Sequence, residues 1–148
     1  MRRRLSLRIQ RRDGGRAIVE FLVVGLLVLV PVVYFIVTLS RVQAAAFAVS
    51  TASREAGRAF TTATDEESAY ARAQAAARIA FEDFDFGDGA LTLQCDGSPC
   101  LRPQGRVEAV ASVAVRLPLV PDLLSGAIPA VLPVSATHVA TVDRFRGR

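Results

Sequence analysis

A run of 20 residues without a charged side chain, residues 21–40, places the strongest constraint on the fold of this chain. As an α-helix it would be about 30 Å long, which is enough to cross the hydrocarbon core of a membrane. We therefore expect a transmembrane helix, bent or locally loosened at Pro31. A secretory signal has a shorter apolar region. The three alanines at 44–46 nevertheless keep open an alternative, a signal peptide that is cleaved near Ala46.

The charge is distributed unevenly along the chain. Six arginines and one acid precede Gly15, whereas 12 arginines and 13 acids follow from there on, so the net charge is +5 before Gly15 and −1 after it. A basic leader before an apolar helix predicts a cytoplasmic N-terminus, with the rest of the chain on the other side of the membrane. Because the remainder is nearly neutral, we do not expect a nucleic-acid partner.

After the apolar run the pattern becomes helical and amphipathic. Apolar or small side chains recur every three or four residues over 41–60, which predicts a helix continuous with the transmembrane segment. These residues are Val42, Ala46, Val49, Ser53, Ala56 and Phe60. Residues 61–64 form a break, and the S/T-x-x-E pattern from Thr64 to Glu67 then predicts a capping box. A second, short helix should follow, running to about Phe84 and ending near Gly87 and Gly89.

The last third of the chain has a period of two, which is typical of β-strands. Three such segments are centred on residues 91–95, 107–117 and 134–142. Four prolines predict an irregular connection between the second and third strands: Pro118, Pro121, Pro129 and Pro133. The fold class is therefore expected to be α+β: a long N-terminal transmembrane helix continuing into an amphipathic helix, a second short helix, and a small three-stranded antiparallel sheet.

Two cysteines, Cys95 and Cys100, flank the turn-forming sequence Asp-Gly-Ser-Pro. They follow the apolar run and should face an oxidising compartment. We expect a disulfide that closes the tip of a hairpin. A redox-active pair would need C-x-x-C spacing, and a zinc site would need further ligands that the sequence does not supply.

Other polar residues predict neither catalysis nor metal binding. His138 is the only histidine, and we expect it on a strand that faces the edge of a small core. Asp83, Asp85 and Asp88 resemble a calcium loop only loosely, because Gly87 occupies the third ligand position and no glutamate follows at the required distance. We interpret this segment as a solvated helix end, near which Phe81, Phe84 and Phe86 pack the helix onto the sheet. No enzyme activity, cofactor or metal is expected.

The N-terminal segment carries a resemblance to a known family. The basic leader ends at Gly15, four residues follow, and Glu20-Phe21 stands at the head of the apolar helix. This arrangement is similar to type IVb prepilin and pseudopilin signals. The stretch "GRAIVEFLVVGLLVLVP" resembles the start of TadE-like proteins, the minor pilin or pseudopilin components of tight-adherence (Tad, Flp-type) pilus systems.

The resemblance implies a pilin-like fold and cleavage between Gly15 and Arg16 by an aspartyl prepilin peptidase in the membrane. It divides the chain into a leader at 1–15, a transmembrane helix at 16–40 and an extracytoplasmic α+β domain at 41–148. Gly15 lacks a side chain, so the backbone can enter a tight active site in an extended form. Gly15 is preferred over Gly14 as the cleavage site because it places Glu20 at the fifth mature position.

In a pilin-type assembly, Glu20 and Phe21 would act in recognition and assembly. The new α-amino group on Arg16 of one subunit would lie against Glu20 of its neighbour. The alternative is that Glu20 is an interfacial acid beside Arg16 at the headgroup level.

The function implied by the resemblance is that of a structural subunit in the assembly of a Tad pilus for adhesion or secretion. Its partners would be the membrane, the prepilin peptidase, other pilin subunits and the Tad assembly platform. The expected location is the inner membrane, with a single pass, or the pilus after incorporation. Two alternatives remain: an unprocessed anchor that displays a small extracytoplasmic binding domain, and a secreted protein released near Ala46.

Overall fold

The computed structural model of the chain describes residues 13–117 and 131–145. It contains, in chain order, α1 (Asp13–Thr61), α2 (Glu66–Glu82), β1 (Ala90–Cys95), β2 (Arg106–Arg116) and β3 (Val131–Thr141). The α+β fold class is confirmed: a long apolar N-terminal helix, a second helix and a three-stranded antiparallel sheet. Most of the predicted leader, and Pro118, Pro121 and Pro129 of the predicted connection, lie outside the described residues.

The apolar part of α1 has its large side chains turned outward. Phe21 is 76% exposed and Leu27 is 70% exposed, and Pro31 lies inside the helix, which continues through it. Among the described residues, α1 is the one helix long and apolar enough to cross a membrane. This finding is compatible with a single-pass membrane anchor.

The second half of α1 is amphipathic, as predicted, but the buried stripe is one of small residues. It consists of Ala45, Ala48, Val49, Ala52, Ser53, Ala56, Gly57 and Phe60. The assignment of Ala46 to this stripe was wrong, because Ala46 is exposed and its neighbour Ala45 faces the core. In a run of alanines every side chain is small and apolar, so the 3.6-residue period does not show which of two neighbouring residues faces the core.

The predicted break after α1 and the predicted second helix are also confirmed, but the capping residue differs by one position. The N-cap of α2 is Asp65 rather than Thr64, and its side chain accepts a hydrogen bond from the Ser68 backbone N–H at 2.8 Å. The Ser68 hydroxyl in turn accepts from the Asp65 N–H, which completes a capping box. Thr64 instead donates its hydroxyl to the Asp65 carboxylate at 2.9 Å.

The sheet has the strand order β1-β2-β3, with both neighbouring pairs antiparallel. In β2 the residues on one face are buried, namely Val107, Ala109, Ala111, Val113 and Val115. Pro133, predicted to lie in the irregular connection, is instead part of β3 opposite Ala114. It is tolerated there because β3 is an edge strand and a proline cannot donate a ladder hydrogen bond.

Both helices pack on the same face of the sheet, since the buried residues of α1, α2 and β2 form one cluster. The rings of Phe60 and Tyr70 join the helices in an edge-to-face contact with centroids 5.0 Å apart. Phe81 and Phe86 are buried in this core and Phe84 is half-buried against it, as predicted. α1 approaches β3 closely at Gly57, where a Cβ would lie 3.0 Å from the Cβ of Ala140.

Candidate functional site

The predicted processing and assembly residues all lie in α1. The helix is described from Asp13 onward, and the peptide bond between Gly15 and Arg16 lies within it. Glu20 and Phe21 follow within the next two turns, and both side chains are exposed. A single element therefore carries the proposed scissile bond, the acid and the start of the apolar surface.

Glu20 is the one charged residue between positions 17 and 40. Among the residues whose side chains the structure describes, none forms a hydrogen bond or ion pair with it. Its helical neighbours Val19, Val23 and Val24 are exposed aliphatic residues. A carboxylate in such surroundings is costly in a membrane unless a cation or a hydrogen-bond donor meets it, so residues of this kind usually have a functional partner.

The predicted disulfide between Cys95 and Cys100 is present, with Cα atoms 5.5 Å apart. It closes the tip of the β1–β2 hairpin and lies against the start of α2. The Tyr70 hydroxyl lies 3.8 Å from Cys100 Sγ and 3.9 Å from Cys95 Sγ. The Cys100 backbone N–H donates to a carboxylate oxygen of Glu66. The loop is therefore held both by the disulfide and by contacts with Tyr70 and Glu66 of α2.

Asp96 organises the polar part of the same hairpin tip. Its carboxylate accepts from the Arg106 backbone N–H at 2.9 Å and pairs with the Arg102 guanidinium at 2.9 Å. The Arg106 hydrogen bond, followed by the charge of Arg102, holds the pKa of Asp96 below its usual range despite some desolvation. The loop is therefore cross-linked both covalently and through a charged network.

A small polar cleft that the sequence did not predict lies where α1, the α2–β1 loop and β2 meet. Its volume is about 120 Å³, and it is lined by Arg41, Asp85, Phe86, Asp88, Ala114 and Arg116. Arg41 forms a 3.4 Å ion pair with Asp85, and its guanidinium lies 5.2 Å from the centroid of the Phe86 ring. The prediction of a solvated helix end placed Asp85 and Asp88 correctly at the surface but missed the two arginines.

The remaining candidate residues have structural surroundings. His138 is half-buried on the helix-facing side of β3, where its ring lies next to Gly57. Within residues 13–117 and 131–145, no group of three or more histidine, cysteine, aspartate and glutamate side chains is arranged to hold a metal ion.

Comparison of the chain with protein-family models, curated proteins and solved structures found no match. Its function is therefore inferred from the chemistry of its own residues.

Proposed function

We propose that this protein is a TadE-like minor pilin or pseudopilin, a structural subunit in the assembly of a Tad-type pilus. The proposal rests on the sequence at the start of the apolar helix, where Gly15 is followed by four residues and then by Glu20 and Phe21. The large apolar side chains of this helix are exposed. Its partners would be a prepilin peptidase, other pilin-type subunits and the assembly platform. It would reside in the inner membrane with its C-terminal domain outside the cytoplasm.

Glu20 supports a role in assembly because its own chain offers it no described side-chain partner. After cleavage at Gly15, the α-amino group of Arg16 would provide a cation, and the equivalent group of a neighbouring subunit can reach Glu20. Each buried charge would then neutralise another. Removal of one member of a buried pair typically costs about 3–5 kcal/mol, because the other charge is left uncompensated.

The position of the proposed scissile bond fits cleavage by a peptidase. Gly14 and Gly15 both belong to α1, and each glycine is about 1 kcal/mol less favourable than alanine in a helix. Two adjacent glycines therefore lower the cost of unwinding the backbone at the proposed scissile bond, ahead of the apolar run that begins at Phe21.

The globular part supports an extracytoplasmic role. A disulfide at the hairpin tip suits an oxidising compartment, and a helix that continues into the core of a helix-on-sheet domain is compatible with a pilin-like subunit. We therefore assign the domain a scaffolding function within an assembly.

The test is N-terminal sequencing of the membrane-extracted protein from cells with and without a prepilin peptidase. We expect Arg16 at the N-terminus only when the peptidase is present. Gly15→Leu should block cleavage, whereas the matched control Gly14→Ala should be cleaved normally. An intact Met1 in both strains would instead support an unprocessed anchor with a binding domain, and an N-terminus near Ala46 would support a secreted protein.

A further inference from the structure

We propose that the cleft formed by Arg41, Asp85, Asp88 and Arg116 binds the zwitterionic headgroup of an ethanolamine phospholipid. The phosphate would lie against the guanidinium groups and the ammonium against the carboxylates. This inference rests on the membrane anchoring within the proposed function, and it adds a lipid ligand that pilus assembly does not require.

The cationic side of the cleft is partly preorganised. Arg41 is held between the Asp85 carboxylate, 3.4 Å away, and the face of Phe86. Its side chain is still 45% exposed, so donors remain accessible. Guanidinium groups bind phosphate through parallel N–H···O bonds and are less strongly hydrated than ammonium groups. Arg116, an exposed residue at the end of β2, also lines the cleft.

The anionic side comes from the loop between α2 and β1. Asp85 adopts a left-handed backbone with φ of 63°, and its side chain is 90% exposed. Among the described residues, neither Asp88 nor Arg116 has an ion-pair partner within 4.0 Å. A ligand that carries both charges could therefore pair with this acid and this base together.

One residue of the cleft adjoins the predicted membrane span in the sequence. Arg41 immediately follows the last residue of the uncharged run at 21–40, and arginine at the end of a membrane helix extends its charge to the interface. A purely anionic lipid would offer no cation to the carboxylates of Asp85 and Asp88. A choline headgroup would lack N–H donors for Asp85 and Asp88.

The experiment is a lipid titration of the full-length chain in mild detergent, read by native mass spectrometry. Phosphatidylethanolamine should bind about tenfold more tightly than phosphatidylcholine or phosphatidylglycerol, which corresponds to roughly one hydrogen bond to a charged group. Asp88→Asn and Arg116→Gln should each abolish this preference. The control Arg54→Gln alters an exposed arginine of α1 outside the cleft and should leave the preference unchanged.

Three results would overturn the proposal: equal affinity for the three lipids, tighter binding of phosphatidylglycerol, or a preference that survives both cleft variants. Soluble phosphoethanolamine should compete only weakly, and competition as strong as that of the lipid would indicate a soluble zwitterion instead. Alkaline extraction of membranes distinguishes a failure of the proposed membrane anchor from a failure of the proposed lipid site. Release of the chain would refute membrane anchoring, whereas retention without a headgroup preference would refute only the lipid site.

Discussion

A Cβ placed on Gly89 would clash with the Phe81 ring, because the backbone that leads into β1 passes directly against that ring. Phe81 is buried in the core at the end of α2, so its ring cannot move aside freely. The contact requires a residue without a side chain at position 89 and ties the second helix to the start of the sheet.

Gly89→Ala should therefore destabilise the domain. Overpacking against a fixed ring typically costs about 1–3 kcal/mol, and we expect this loss in urea or thermal unfolding followed by circular dichroism. Gly87→Ala is a matched control in the same loop, since a Cβ there would meet nothing within 4 Å. Equal stabilities of the two variants would contradict the proposed packing constraint.

Removal of the disulfide should weaken the domain without abolishing its fold. The closed loop is short, so the chain-entropy estimate gives about 2 kcal/mol, while Tyr70 and Glu66 still hold the hairpin tip. Cys95→Ala together with Cys100→Ala should match the reduced wild-type protein in unfolding experiments. Thiol labelling of exported protein without reductant should detect no free cysteine, and labelling at both positions would contradict the bond.

The cap of α2 should contribute a pH-dependent part of the stability. Hydrogen bonds from the Ser68 backbone N–H, then from the Ser68 and Thr64 hydroxyls, lower the pKa of Asp65 below its ordinary value. A carboxyl group whose pKa is depressed on folding stabilises the fold above its unfolded pKa, and this contribution is lost as pH falls through the folded value. Stability should therefore decline in the range below about pH 4.

Asp65→Asn should reduce that decline, because asparagine can still cap the helix but does not titrate in this range. Melting temperatures measured from neutral to acidic pH provide the readout. Glu67→Gln removes a neighbouring acid from the first turn of α2 without replacing the cap residue, and it should retain the wild-type acid dependence. If Glu67→Gln flattens the profile and Asp65→Asn does not, the assignment of the cap is wrong.

Glu20→Ala should leave export and membrane insertion intact, since it makes the transmembrane helix more apolar. Cleavage should persist because Gly15 is unchanged. Incorporation should fail, measured as loss of co-purification with pilus partners and loss of piliation. Glu20→Asp should be only partly tolerated, because its carboxylate is one methylene shorter. Normal assembly of Glu20→Ala would refute inter-subunit pairing and leave Glu20 as an interfacial acid beside Arg16.

The sequence predicted those parts of the fold that depend on local periodicity. The uncharged run, the alternation in β2 and the spacing of Cys95 and Cys100 each encode their structure within a short segment. The errors at Ala46 and Thr64 are shifts of one residue, where neighbouring small or polar residues could each fill the role. Pro133 was misplaced because its tolerance depends on β3 being an edge strand, which local sequence does not show.

The polar cleft could not have been predicted from the sequence. Arg41, Asp85 and Arg116 are far apart in the chain, and only the packing of α1, the α2–β1 loop and β2 brings them together. The same limitation applies to Gly89, whose requirement arises from the position of the Phe81 ring. By contrast, the spacing of Gly15, Glu20 and Phe21 can be read directly from a short stretch of sequence. The structure adds mainly that none of the described side chains pairs with Glu20.

The participation of α1 in the core dictates the order of events during biogenesis. In a chain exported in the proposed orientation, Ala45 to Phe60 emerge from the membrane before their buried partners in β2 and β3. The part of the alanine stripe that packs on the sheet therefore stays uncovered until those strands have crossed, whereas α2 can contact α1 earlier through Tyr70 and Phe60. Cys95 and Cys100 arrive before β2, so oxidation can close the hairpin tip ahead of the sheet.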